Sequence, residues 1–138
     1  MQSSGNIRRI VMDTYAWIEY FEGSQEGIKV REYVENSKHT FELFTPSIVI
    51  AELSDKFRRK EIAEWGVRKR FIKLKSKILA LEESTADKAG EVKQELKREH
   101  KDAGLADAII LAHSIQINAY ILTGDKHLAK TGRTIMLN

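Results

Sequence analysis

The sequence contains no cysteine and a single proline. The missing thiols exclude a disulfide scaffold, thiolate zinc ligands and a cysteine nucleophile, and they agree with a reducing cytosol. No stretch approaches the roughly 18 apolar residues that a membrane span needs. Arg8 and Arg9 precede an apolar run, but Asp13 and Glu19 interrupt it, so the N-terminus does not read as a signal peptide. A cytoplasmic protein with no membrane partner is the expectation. Several catalytic signatures are also missing. His39, His100, His113 and His127 show no zinc spacing, and there is no HExxH. A Walker A lysine motif and a glycine-rich dinucleotide turn are absent, and Ser114 lacks the GxSxG elbow.

What is present is an ordinary soluble composition. The 138 residues are 42% apolar and 31% charged, which fits a single domain over 1–138 with one core. Residues 1–6 read as a flexible leader, because Ser3, Ser4 and Gly5 are poor element formers. The net charge is +3, but its distribution says more than its total. Between Lys56 and Lys77 stand ten Lys and Arg against two acids, Glu61 and Glu64, so this segment carries +8 and the rest of the chain −5. A basic segment on an acidic body suggests an anionic partner. The same charges also fit a solvated helix face.

Short apolar strands alternate with helices. Ile7–Met12 reads as a buried strand ending at Asp13. A short helix over Tyr15–Phe21 follows, closed by Gly23 and Ser24, and then a second over about Gly27–Glu35 with Ile28, Tyr33 and Val34 among its apolar positions. Phe41–Thr45 is β-rich. Pro46 suits the first turn of a helix that continues from Ser47 to about Arg59. A basic helix over about Ala63–Lys75 offers Trp65, Phe71, Ile72 and Leu74 for burial. Ile78–Leu81 is a short strand, and Thr85 to about Glu99 a polar surface helix. Gly104–Ile117 reads as a buried helix and Ala119–Thr123 as a strand. Gly124 and Asp125 turn into a short helix, and Thr134–Leu137 makes a last strand. This alternation predicts a three-layer α/β/α domain around a parallel sheet of four to five strands, with right-handed crossovers. Trp17, Tyr20 and Phe21, at helical spacing, read as core rather than as a base-stacking platform.

Ligands of parallel sheets bind beyond the carboxyl ends of the strands. Four acids fall there: Asp13 after the first strand, Glu52 one to two turns into the helix after the second, Asp107 in the first turn of the apolar helix, and Asp125 after the fourth strand. Buried, uncompensated carboxylates are costly. Hard Mg²⁺ or Mn²⁺ removes that cost by taking oxygen ligands. Each acid also has a local explanation. Asp13 and Asp125 suit helix caps, Asp107 suits the helix dipole, and Glu52 suits an i, i+4 pair with Lys56.

Four segments together resemble the PIN-domain ribonuclease family, and within it the VapC-like toxins of type II toxin–antitoxin pairs. They are Ile10-Val11-Met12-Asp13-Thr14 with Trp17-Ile18-Glu19-Tyr20-Phe21; Pro46-Ser47-Ile48-Val49-Ile50-Ala51-Glu52-Leu53; Gly104-Leu105-Ala106-Asp107-Ala108-Ile109-Ile110-Leu111-Ala112; and Ile121-Leu122-Thr123-Gly124-Asp125. The third is the most specific, matching the family's D-A-x-I-x-A helix, and the fourth is similar to its L-x-T-x-D strand end. The order of the four spans about residues 7 to 137. The resemblance implies a metal-dependent endoribonuclease that leaves a 5′-phosphate and a 3′-hydroxyl, with Asp13, Glu52, Asp107 and Asp125 as its Mg²⁺ or Mn²⁺ site. Thr14 and Thr123 are implied to orient a carboxylate or the attacking water. It also implies a homodimer and a VapB-like antitoxin whose basic side chain reaches the acidic pocket. Arg58, Arg59, Arg68, Lys69 and Arg70 are the candidates for holding the RNA backbone. Two positions depart from the pattern: Tyr15, where many relatives have Ser, and Gly124, where a basic residue is common.

Other functions fit less well. A housekeeping RNA-processing nuclease of the same fold, or a non-catalytic RNA- or protein-binding module, would keep the architecture. An aspartyl phosphatase wants a second acid two residues after its nucleophile, and Asp13 is followed by Thr14 and Tyr15. A receiver domain wants a paired acid cluster with a strand-end lysine, and neither stands out.

Overall fold

A computed structural model describes residues 7–37 and 39–138; the leader expected over residues 1–6 lies outside the described residues. Five parallel strands form one sheet in the order β3-β2-β1-β4-β5. They are β1 (Arg8–Met12), β2 (Phe41–Pro46), β3 (Lys77–Leu79), β4 (Tyr120–Thr123) and β5 (Thr134–Met136). Six helices are interleaved: α1 (Thr14–Glu22), α2 (Gln25–Glu35), α3 (Ser47–Arg59), α4 (Trp65–Lys75), α5 (Glu83–Glu99) and α6 (Leu105–Ile117). A 3-10 turn covers Lys126–Leu128. This is the expected α/β/α architecture with the higher of the two strand counts. Among the described residues no helix is long and apolar enough to cross a membrane.

The chain runs outward from β1 through β2 to β3, then returns to the other side of β1 to place β4 and β5. The direction therefore reverses between β1 and β4. At such a switch point the connections leave the two carboxyl ends toward opposite sides and open a crevice. The register aligns Met12 with Leu122, so the residues just beyond both strands emerge side by side.

The centre of the sheet is apolar because both its faces are covered. Ile10, Val11, Met12, Ile121 and Leu122 are wholly buried, as expected for strands of a covered parallel sheet. Helix α6 buries an unbroken run from Ala108 to Ser114. On the α1 side, Trp17 stacks on Phe21 and meets Phe71 edge-on, and Phe57 packs on Trp65. Trp17 also donates to Thr45 Oγ1 at 3.1 Å, and Thr45 shares a hydrogen bond with Ser76. This buried polar relay is satisfied, so it ties α1, β2 and the end of α4 together without a desolvation penalty. The three α1 aromatics are packing residues, as read from their spacing.

Local signals explain most of the boundaries. Gly23 ends α1 in the left-handed region at φ 67°, which costs glycine nothing. Ser24 then caps α2 by accepting from the Gly27 amide. Other details differ from the sequence reading. Pro46 is the last residue of β2 and precedes α3 with extended backbone, instead of occupying its first turn. Strand β3 ends at Leu79 and leaves Leu81 exposed. Ile28 is 54% exposed and Leu74 63% exposed, and the buried positions of their helices are Val30 with Val34 and Trp65 with Ile72. Helix α5 is not merely a surface helix, since Thr85, Ala89, Val92 and Leu96 are buried along one stripe.

Candidate active site

The chain leaves β1 at Asp13, whose side chain accepts from the Ala16 amide at 2.9 Å and caps α1. The capping explanation is therefore correct for Asp13, but incomplete. A cap on a surface helix is normally exposed, whereas Asp13 is only 4% exposed. Burial pushes its carboxyl up from the ordinary value of 3.8 to about 7. The Thr123 hydroxyl and the Ala16 amide pull it down, while the charges of Asp125 and Asp107 push it further up. The sheet has thus brought three acids from separate elements within electrostatic reach.

Asp107 sits in the first turn of α6 and accepts from the Gly104 amide at 3.2 Å. This is half of a capping box, because Gly104 has no side chain to return the bond. Its carboxyl is also raised, first by burial and then by Asp125. Asp125 follows β4 and caps the 3-10 turn by accepting from the His127 amide at 2.9 Å. Its own amide donates to Thr123 Oγ1 at 2.8 Å. Thr123 is thereby in contact with Asp125 while its hydroxyl favours the ionised form of Asp13. The expected i, i+4 pair of Glu52 with Lys56 does not form; among the described residues Glu52 has no ion-pair partner. Instead Thr14 Oγ1 donates to Glu52 Oε1 at 2.5 Å, joining the start of α1 to α3.

The tightest cluster includes a residue that spacing rules passed over. Ligand atoms of Asp107, Asp125 and His127 all lie within 4.8 Å of one another. His127 Nδ1 is 3.4 Å from Asp107 Oδ2 and 3.4 Å from Asp125 Oδ1. The only sequence signal for it was its place two residues after a strand-end acid. The His127 ring meets His100 edge-on at 5.5 Å and forms part of a cavity of about 220 Å³ between α5, α6 and the 3-10 turn.

Tyr15 and Gly124, the two departures from the pattern, touch each other. A Cβ on Gly124 would lie 2.3 Å from Tyr15 Cε1, so any other residue there requires the phenol end to move. The neighbouring Glu26 carboxylate and, after it, burial push the Tyr15 ionisation up to about 12. Asn138 Nδ2 donates to the Gly124 carbonyl at 3.2 Å. The turn that carries Asp125 is gripped from both sides.

The basic segment divides. Arg58, Lys69, Arg70 and Lys73 line an open groove of about 510 Å³ between α3 and α4. Arg59 is engaged with Asp55 at 3.2 Å. Arg68 lies over the rings of Phe21 and Phe57 at 5.0 and 4.9 Å.

The model of the family described as the PIN domain matches residues 10–134. The chain belongs to the PIN-domain family. No curated protein sequence matches this PIN domain significantly. Solved structures do resemble it. A toxin–antitoxin complex from Klebsiella pneumoniae superposes with a TM-score of 0.71 at 20% identity, over 94% of this chain and 98% of that one. The sarcin–ricin-loop-cleaving VapC toxin of Mycobacterium tuberculosis gives 0.70 at 15% identity, over 90% and 95%. FitAcB from Neisseria gonorrhoeae gives 0.69 at 19%, over 94% and 96%. At such identities the likeness is one of fold. The residues of this PIN domain fit a divalent cation on their own chemistry. Asp13 is a buried carboxyl whose ionised form lacks a neutralising cation among the described residues, and the neighbouring donors are mainly hard oxygens.

Proposed function

We propose that this PIN domain is a metal-dependent endoribonuclease and the VapC-like toxin of a toxin–antitoxin pair. The observation that carries the reading is the convergence of Asp107 and Asp125 beside the buried Asp13 at the β1/β4 switch point. A fold alone would not require it. Asp13, Asp107 and Asp125 would hold Mg²⁺ or Mn²⁺, with Glu52 completing the acidic wall. When bound, the cation supplies charge that stabilises the phosphate and makes water a better nucleophile. Thr14 orients Glu52, Thr123 holds Asp125 and faces Asp13, and one of the carboxylates accepts the proton released by the water. The products are a 5′-phosphate and a 3′-hydroxyl.

The cations of the α3–α4 groove hold the RNA backbone, which makes binding salt-dependent. Arg58, Lys69 and Arg70 carry this contact. Arg59, paired with Asp55 on the exposed surface, and Arg68, lying over two rings, would add weaker contacts beside them. The toxin reading adds a cytoplasmic location, a homodimer and a VapB-like antitoxin that masks the pocket with a basic side chain. The structural likeness to the toxin–antitoxin complex from Klebsiella pneumoniae supports it. A short neighbouring reading frame that encodes a DNA-binding fold with a flexible tail is the genomic sign to seek.

The test is RNA cleavage by purified protein with Mn²⁺ or Mg²⁺, against EDTA and against Asp107→Asn. We expect cleavage to vanish with EDTA and to fall by more than about 100-fold in the variant, above the range typical of residues behind a metal's ligands. Cleavage that survives both treatments refutes the reading. A folded protein that cuts no RNA in a broad panel favours the binding module instead.

A further inference from the structure

Resting on this metal-site reading, we infer that His127 is a direct ligand of the site and that its nitrogen makes the site prefer a first-row transition ion to Mg²⁺. The geometry suits a shared centre as well as an ion pair. Nδ1 stands at the same distance, 3.4 Å, from one oxygen of Asp107 and one of Asp125. Among the described residues no hydrogen bond joins Nδ1 to either oxygen. Ligand atoms placed about 2.1 Å from an octahedral ion are about 3 Å from their neighbours. The nitrogen would need to approach each oxygen by only a few tenths of an ångström, and the three ligand atoms lie within 4.8 Å of one another.

The imidazole is positioned in advance. Its backbone amide donates to Asp125, which fixes the 3-10 turn, and its ring rests edge-on against His100. The side chain consequently presents Nδ1 to the carboxylates, and with a cation bound there the ring would carry its proton on Nε2. A donor set of carboxylate oxygens alone suits Mg²⁺ and Mn²⁺ equally well. Adding an imidazole nitrogen shifts the balance toward transition ions, because Mg²⁺ binds oxygen and gives up its water for nitrogen poorly. The competing role for His127 is that of a cationic counter-charge, which a metal would have to displace. The two roles predict opposite effects of removing the ring.

Mn²⁺ is the probe. Its binding to the full chain would be measured by titration calorimetry, and its ligands by pulsed electron paramagnetic resonance, for wild type, His127→Ala, His127→Gln and Asp107→Asn. Circular dichroism and Tm would confirm folding. We expect ¹⁴N coupling to imidazole in the wild-type Mn²⁺ complex and its loss in both His127 variants. Mn²⁺ affinity should fall by about 10- to 100-fold in those variants, while Mg²⁺ affinity changes by less than about threefold, because Mg²⁺ draws on the oxygens. Absent ¹⁴N coupling in wild type, or Mn²⁺ affinity that is unchanged or tighter without the ring, overturns the assignment of His127. Undiminished Mn²⁺ binding by Asp107→Asn overturns the site reading itself.

Discussion

The carboxylates beyond β1 and β4 and the cations along α3 and α4 are both clusters of like charge, yet they are built in opposite ways. The acids come from separate elements and are forced together by the reversal of strand order, so that Asp125 raises the proton affinity of both Asp13 and Asp107. The cations come from one stretch of chain and spread over two helices, where water and local partners relieve them. Arg59 has Asp55, and Arg68 has two aromatic faces. Proximity in space against the electrostatic gradient requires the fold to supply the energy. Proximity in sequence requires nothing. The first kind of cluster therefore points to a function more strongly than the second.

The sharpest way to break this contrast is Asp13→Asn. The substitution keeps a helix cap but removes the buried charge. We expect cleavage to fall by more than about 100-fold and metal-free stability at pH 8 to rise by ~1–3 kcal/mol, read as Tm. The sign follows from the direction of the shift. The folded value of Asp13, about 7, lies above its ordinary 3.8, so its contribution to stability is full below 3.8 and is lost as pH rises through 7. Wild type without metal should lose Tm progressively between about pH 4 and pH 7, the interval between the two values, and the variant should lose less. Equal slopes would mean that Asp13 is not held under strain.

The second prediction concerns the turn that places Asp125. Gly124→Ala should cost about 1–3 kcal/mol through overpacking against Tyr15, with cleavage reduced alongside. Tyr15→Ser should make the alanine tolerable. A double-mutant cycle measured by chemical denaturation should then show strong coupling, and additive effects would refute the contact.

On the basic flank the expected effects are smaller and divided. Neutralising Arg58, Lys69 and Arg70 together should flatten the salt slope of RNA binding by up to ~0.7 per lost contact. Arg59→Gln, whose charge is spent on Asp55, should leave affinity within about twofold, the scale of an exposed pair. Equal losses from Arg59→Gln and from each groove cation would return the whole segment to a single undifferentiated patch.

The smallest effect belongs to His113, buried in α6 with an unpartnered Nε2. Burial lowers its proton affinity below the ordinary 6.5. Its stabilising contribution is therefore present above pH 6.5 and is lost as pH falls through the folded value. His113→Gln should flatten the acid limb of a Tm-against-pH curve, and an unchanged limb would assign that limb to other groups.

Much of this was legible in the chain. Asp13 and Asp125 directly follow apolar runs that can only be covered strands, and Asp107 opens a helix too apolar to be exposed. With acids at those positions, the strand order β2-β1-β4 sets Asp13 and Asp125 side by side. Side-chain contacts between distant segments were not legible. His127 reaches the cluster through a three-residue turn that obeys no ligand spacing. The Tyr15–Gly124 contact joins opposite ends of the chain. The exposure of Ile28 and Leu74 was missed because helical periodicity identifies an apolar stripe without saying how much of it a neighbour covers. Charge counting likewise could not see local partners such as Asp55 beside Arg59 or the ring faces beneath Arg68.

The lock between Tyr15 and Gly124 bears on how this turn can evolve. A residue larger than glycine at 124 is crowded while the phenol stays in place, because its Cβ would lie 2.3 Å from one ring carbon and 2.4 Å from the next. Losing the phenol first vacates that space, after which a basic or polar side chain at 124 becomes admissible. The two orders of substitution are thus unequal, one passing through a crowded intermediate and the other through a loosened one. A lineage that holds Tyr15 is historically committed to glycine beside its strand-end acid, and the way out begins at the tyrosine.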